Sequence, residues 1–257
     1  MVAKSIGHRQ NERFSHASES QLASKTMDPS NPYSSPEVQN QPAQKPTKGM
    51  VPTAVEVGPI IQYAWEAFKQ NMGVMIGASL VVIVVGMGIS FAQQAVPPLG
   101  MIWWILYVVS LVVQTFLGIG LAQIALKVAR RESPSFENLF QGGSVFVGVL
   151  VTSFVFGIGV TIGLVLLVIP GLILLVMFWP FYYLLVDGKS EMFASLTDAR
   201  PIAGANVGTT VLLFFATFGI ALLGALACGV GLFVAIPFIS VIWATAYLAM
   251  SGQIRVQ

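Results

Sequence analysis

Charge is the scarcest property of this 257-residue chain. Charged residues make up only 9% of it, hydrophobic residues make up 55%, and the mean hydropathy is +0.78. A soluble domain carries roughly 25% charged residues. The deficit therefore excludes an ordinary soluble enzyme and indicates an integral membrane protein.

Cysteine, histidine and clustered basic residues are also scarce. Cys228 is the one cysteine, which excludes an intrachain disulfide and a cysteine-based zinc site. The two histidines, His8 and His16, lie in a polar N-terminal tail, away from any membrane-embedded chemistry. The net charge is only +2 and most basic residues are dispersed, which does not fit a nucleic-acid surface. We expect no metal, no cofactor and no nucleic-acid partner.

Three long stretches contain no Asp, Glu, Lys or Arg. They cover residues 70–126, 138–186 and 201–254, which is 57, 49 and 54 residues. Because one spanning helix needs about 20 apolar residues, each stretch fits two spans with a tight connection. The sequence therefore predicts an all-α polytopic membrane protein with six transmembrane helices in three hairpins. We expect the spans at 72–94, 101–126, 144–165, 167–186, 207–229 and 232–250.

The turn between the third and fourth spans has two possible positions. Pro170-Gly171 forms the turn itself in one interpretation, which leaves a short fourth span. In the other, the chain turns near Gly163 and Pro170 lies in the first turn of the next helix. We favour the second position because it balances the lengths of the two helices.

The distribution of basic residues predicts the orientation. With six spans, all 13 Lys and Arg residues fall on the side that holds both termini and the segments 127–137 and 187–200. The positive-inside rule places that side in the cytoplasm, which predicts an inner-membrane protein with cytoplasmic termini. Residues 1–50 are polar and are expected to be disordered, followed by a transmembrane domain over 51–257. Met27 is an alternative to Met1 as the first residue of the protein.

A short amphipathic helix is expected on the cytoplasmic side before each hairpin. The first begins at Pro59, and the second is expected to be capped by Ser133-Pro134. The third carries Met192, Phe193, Leu196 and Ala199 at helical spacing, and Pro201 is expected to end it. Similar residues recur around these segments, including Asn71-Met72-Gly73 and Asn206-Val207-Gly208, which indicates a unit of 65 to 70 residues repeated three times.

Candidate site residues are few. Those expected at the membrane interface or on lipid head groups are Trp65, Phe68, Lys69, Lys127, Arg130 and Arg131. The alternative role of the basic residues is only to fix the orientation of the helices in the membrane, without binding head groups. Gln114, near the middle of the second span, contacts a polar substrate or, in the interpretation we favour, bonds to a neighbouring helix. Asp187, Glu191 and Asp198 are expected on a solvated helix face.

The segments around the hairpins resemble a bacterial family of multi-pass proteins related to the membrane domain of glycerophosphoryl diester phosphodiesterase. The resemblance is carried by residues 64–71 (Ala-Trp-Glu-Ala-Phe-Lys-Gln-Asn), by Ile169-Pro170-Gly171, by 184–187 (Leu-Leu-Val-Asp) and by 192–196 (Met-Phe-Ala-Ser-Leu). It covers about residues 55–252. It implies a membrane-embedded accessory module, because in the relative the hydrolytic activity belongs to a separate soluble domain.

Two functions are compatible with these sequence features. The leading hypothesis is a non-enzymatic accessory protein that binds membrane lipids or another membrane protein, or forms a homo-oligomer, through its cytoplasmic face. The alternative is a transporter or permease-like protein for a lipid or small apolar solute. An enzyme is not expected, because no predicted span holds an ionisable residue and no catalytic constellation is visible.

Overall fold

The protein is described here from a computed structural model that covers residues 50–227 and 229–256. The predicted tail, apart from Met50, and Cys228 lie outside these residues. Within them the regular structure is helical, without strands. The α-helices are α1 (Val57–Gln70), α2 (Met72–Gln94), α3 (Met101–Ala129), α4 (Phe146–Leu166), α5 (Val168–Phe178), α6 (Pro180–Val186), α7 (Ala194–Gly204), α8 (Val207–Leu226) and α9 (Leu232–Met250).

Six helical segments of the described chain are long and apolar enough to cross a membrane, and they confirm the predicted all-α architecture. They are α2, α3, α4, α5 with α6, α8 and α9. The fourth is divided at Trp179, because Pro180 has no backbone N–H to continue the helix. The ends of these segments differ from the predicted spans by three residues or fewer, which is the usual uncertainty of helix ends. We call the end of the bundle that carries α1, α7 and the charged residues the charged end.

The turn between the third and fourth spans follows the position that we favoured, although it lies slightly later. α4 ends at Leu166, Leu167 is extended, and Pro170 is the third residue of α5. The two helices are very close here, since a methyl group added at Gly163 would lie 3.0 Å from the Cα atom of Gly171. Glycine at both positions therefore permits the tight hairpin.

The segments that precede the hairpins are not all alike. The first and third are the α-helices α1 and α7, whereas the second is a 3-10 helix, Phe136–Phe140, followed by a short one at Gly142–Ser144. Its cap is Ser135 and not Ser133, which corrects the expectation. The reason is a local pair: the backbone N–H of Ser135 donates to Asn138 Oδ1 at 3.0 Å, and its hydroxyl lies 3.2 Å from the same oxygen.

Pro201 does not end the third segment, contrary to the expectation. α7 continues through it to Gly204. Pro201 is itself exposed, but Ile202 and Ala203 beyond it are buried. Burial of these two side chains in the bundle offsets the backbone hydrogen bond that proline cannot donate.

The first and third hairpins begin in the same way. Asn71 precedes α2 with φ −124° and ψ 22°, and Asn206 precedes α8 with φ −134° and ψ 29°. In each case the side-chain amide donates to the carbonyl four residues earlier, Ala67 at 3.3 Å and Ile202 at 3.1 Å. The second hairpin begins differently, at Val145. The equivalence supports a repeated unit for the first and third hairpins.

The second, fourth and sixth spans all end in the same motif at the charged end. Each has a residue with positive φ just past the helix: Arg131 at 60°, Gly188 at 63° and Gly252 at 73°. In each, the next backbone N–H donates to a helix carbonyl five residues earlier, as in the bonds of Glu132 to Lys127 and of Gln253 to Leu248. These are Schellman motifs, which satisfy the last carbonyl groups of a helix.

The sixth span, α9, is the centre of the bundle. In its most apolar window 61% of the residues are buried, against 17 to 28% in the other five spans. It packs against α1, α2, α3 and α8. The outer surfaces of the remaining spans are apolar and exposed, as a lipid-facing surface requires.

Candidate functional site

The charged end holds a polar network that joins three of the spans. Arg130 Nη2 donates to both carboxylate oxygens of Asp187, at 2.7 and 2.8 Å, and to Gln253 Oε1 at 2.9 Å. The hydroxyl of Tyr247 donates to Asp187 Oδ2 at 3.1 Å. The side chain of Asp187 is only 6% exposed and that of Arg130 is 25% exposed. The network therefore fixes the ends of α3, α6 and α9 to one another.

The helix ends explain why these residues meet. Arg130 and Asp187 are the cap residues that follow α3 and α6, each directly before the residue with positive φ, and Gln253 directly follows the corresponding residue after α9. The expectation of a solvated Asp187 is therefore wrong, because its carboxylate is buried against a guanidinium and a phenol. Two sequence signals pointed to this pair. Its members carry opposite charge, and both end apolar spans on the same side.

A polar cleft of about 270 Å³ lies beside the network. It opens between the end of α3, the 3-10 helix and the end of α6, and is lined by Gln123, Leu126, Lys127, Arg130, Glu132, Asn138, Gln141, Val186 and Asp187. Lys127 makes no ion pair with any residue that the structure describes, and neither does Glu132. The cleft therefore offers one cation and one anion that are not engaged with each other or with a neighbour.

The 3-10 helix that contributes Asn138 to the cleft also carries two exposed aromatic side chains. Phe136 and Phe140, on the 3-10 helix, are exposed and pack edge-to-face with centroids 6.3 Å apart. The 3-10 helix that carries them rests directly on α3, since a methyl group at Gly120 would overlap the backbone carbonyl of Leu139. The same 3-10 helix therefore lines the polar cleft at Asn138 and carries two aromatic rings that the described residues leave exposed.

The predicted interface residues of α1 divide into two groups. Trp65 is 41% exposed, and Lys69 Nζ lies 5.8 Å from the centre of its ring. Phe68 is fully buried, with its ring 5.5 Å from that of Phe238 on α9. Its predicted place at the membrane interface is wrong, because Phe68 is on the side of α1 that packs against the bundle.

Arg131 contacts α1. Its Nη2 lies 3.3 Å from Glu66 Oε2, and its guanidinium carbon lies 4.6 Å from the centre of the Tyr63 ring. The Tyr63 hydroxyl donates to the backbone carbonyl of Ala129 at 3.1 Å. Both partners of this ion pair are partly exposed, so its contribution to stability is small, below about 1 kcal/mol. Of the three predicted basic residues at the end of α3, only Lys127 has no ion-pair partner among the described residues.

Gln114 does not bond to a neighbouring helix in this structure. Its Nε2 donates to Ser110 Oγ at 2.6 Å, within α3 itself, and the residue is exposed on the outside of the bundle. The structure therefore does not place Gln114 with the charged-end residues. No group of three His, Cys, Asp or Glu side chains in the described ranges is placed to hold a metal ion.

These features define the class of protein: a multi-pass α-helical membrane protein with a polar network and an open cleft at one end of its bundle. Comparison of the chain with known protein families, curated proteins and solved structures gives no match.

Proposed function

We propose that this chain is a non-enzymatic accessory protein of the bacterial inner membrane that binds phospholipid head groups at its charged end. The observation that carries this proposal is a polar cleft lined in part by Asn138 of the 3-10 helix, the same helix that exposes the rings of Phe136 and Phe140. A head group needs polar partners at a point where acyl chains still meet an apolar surface. The cleft and the two rings supply both.

Charge in the cleft indicates the kind of head group. Lys127 is available to a phosphate, and Arg130 presents Nε and Nη1, for which the described residues supply no hydrogen-bond partner. Basic side chains near a membrane surface contribute about 1 kcal/mol each to binding of anionic groups. Glu132 and the amides of Asn138 and Gln141 line the same cleft. A phosphate with an attached amine, as in phosphatidylethanolamine, matches this mixture of charges.

The orientation of the protein in this proposal follows the positive-inside rule. In the described chain every Lys and Arg lies at the charged end, so this end faces the cytoplasm. Trp65 and Lys69 then lie near the inner leaflet, where an aromatic ring and a nearby ammonium group are common anchors. The resemblance of α1 and the central Pro-Gly segment to a phosphodiesterase membrane domain also supports an accessory role.

In the transporter alternative, Gln114 was the residue expected to contact a polar substrate. Gln114 lies on the outer surface and bonds within its own helix. This residue therefore gives the alternative no support, and we do not carry it further.

The test compares Lys127→Ala with Lys189→Ala. Both residues are at the charged end, but only Lys127 lines the cleft. The proteins are reconstituted in nanodiscs of phosphatidylcholine with increasing phosphatidylethanolamine, and the bound phosphatidylethanolamine is counted by native mass spectrometry. Loss of one basic contact worth about 1 kcal/mol lowers affinity about fivefold, and we expect this for Lys127→Ala alone.

Two results would contradict the proposal. The first is a wild-type protein that retains no phospholipid above the level of its bulk composition. The second is an equal loss for both variants, which would mean that the basic residues act only as a diffuse positive surface.

A further inference from the structure

Gln114 has hydrogen-bonding capacity that the described residues do not use. Its Nε2 donates one hydrogen to Ser110 Oγ, while the second amide hydrogen and Oε1 have no partner among the residues that the structure describes. The side chain is exposed on the outside of the bundle. An amide has two donor hydrogens and an oxygen that accepts two, so most of this capacity faces outwards.

The depth of Gln114 makes this exposure costly. It lies 13 residues from the first residue of α3, Met101, and 13 residues before Lys127 at the charged end. At 1.5 Å per residue each distance is about 20 Å, which places the amide near the centre of a hydrocarbon layer about 30 Å thick. Lipid chains offer no hydrogen bond there, so an amide at this depth is stabilised by a polar partner.

The surface around Gln114 has the pattern of a helix–helix contact. Tyr107, Leu111, Gln114 and Gly118 follow one another at intervals of four, three and four residues, which puts them on one stripe of α3. Tyr107 is 46% exposed and Leu111 is 37% exposed. Gly118 ends the stripe beside the Tyr182 hydroxyl, which would lie 3.5 Å from an added methyl group, and without a side chain Gly118 adds no bulk to the stripe.

We infer that two copies of this chain associate through this stripe of α3, with the two Gln114 amides hydrogen-bonded to each other. A second copy is the occupant that fits, because every copy is inserted in the same orientation and therefore presents Gln114 at the same depth. An amide is both donor and acceptor, so it complements itself across a twofold axis. A single polar residue in an apolar seam also fixes the register of the two helices. The inference does not depend on the proposed lipid binding.

Cysteine cross-linking tests the stripe directly. In a Cys228→Ser background, Leu111→Cys lies on the stripe and Val109→Cys lies on the opposite side of α3, two residues away and 44% exposed. Native membranes that contain either variant are oxidised and the dimer is measured on a non-reducing gel. We expect Leu111→Cys to form the dimer and Val109→Cys to form little. Equal cross-linking of both, or none by Leu111→Cys, would overturn the inference.

The role of the amide is tested by Gln114→Leu, with Gln93→Leu as the matched control that removes an amide from α2. Dimer dissociation is measured by dilution of fluorescently labelled protein into increasing amounts of lipid. Two interhelical hydrogen bonds predict that Gln114→Leu weakens the dimer about tenfold or more and that the control changes it little. A wild-type protein that stays monomeric at all lipid ratios, or equal dissociation constants for the two variants, would refute the Gln114 pair.

Discussion

Removal of the Asp187 carboxylate is the sharpest test of the polar network. Asp187→Ala leaves Arg130, whose side chain is 25% exposed, without the two oxygens that lie 2.7 and 2.8 Å from it. It also removes the acceptor of the Tyr247 hydroxyl. Breaking a buried pair by removal of one partner costs about 3–5 kcal/mol. Because the guanidinium retains some access to water, we expect a loss at the lower end of this range, about 3 kcal/mol.

The assay is reversible unfolding in mixed micelles of dodecyl maltoside with increasing sodium dodecyl sulfate, followed by circular dichroism. Glu191→Gln is the control, because Glu191 is exposed and makes no ion pair with any described residue. A third variant, Asp187→Leu with Arg130→Met, removes both charges and is expected to lose less stability than Asp187→Ala. If Asp187→Ala unfolds at the same detergent fraction as Glu191→Gln, the network does not stabilise the bundle and the reasoning is refuted.

Two further predictions concern the ends of the helices. Gly188→Ala is expected to cost about 1–2 kcal/mol of unfolding free energy, the penalty for a left-handed residue with a side chain. Gly252→Ala should cost more, because its methyl group would also lie 2.6 Å from the carbonyl oxygen of Val51. Equal losses in the same unfolding assay would contradict this. Asn206→Ala should cost about 2–3 kcal/mol, since it removes hydrogen bonds to the backbone of residues 53, 55 and 202. Asn71→Ala removes one side-chain hydrogen bond, to the carbonyl of Ala67 in α1, and should cost less than about 1 kcal/mol. The reverse order would show that the Asn206 bonds do not hold the chain before α1.

Much of the fold could be predicted from the sequence because a membrane leaves few alternatives. Charged residues are costly in hydrocarbon, so their positions alone divided the apolar chain into three hairpins. Pro170 was expected in a first helical turn because that position balances the lengths of the two helices, and the fixed φ of proline suits a first turn. These rules act locally, and they need no knowledge of how the helices pack.

The predictions that were wrong concern features that depend on how the helices pack, which local rules do not describe. Phe68 and Trp65 are neighbouring aromatic residues of α1, and both rings lie near that of Phe238. Only the full burial of Phe68, against 41% exposure of Trp65, shows that Phe68 faces the bundle. Pro201 is tolerated because residues after it are buried. The pairing of Arg130 with Asp187 joins positions 57 residues apart and depends on the arrangement of α3 and α6. The cleft at the candidate site depends on the same arrangement of helices, so only its basic residues could be predicted from the sequence.

The burial of α9 has a consequence for synthesis of the protein. The helix that contacts most of the others is the sixth span in chain order. The first, second, fourth and fifth spans, which pack against it, therefore enter the membrane before it has been made, and Arg130 and Asp187 are synthesised before Tyr247 and Gln253. During translation the early hairpins are held by their own tight turns and by lipid. Completion of the native bundle is a late, concerted event that begins when the last span arrives.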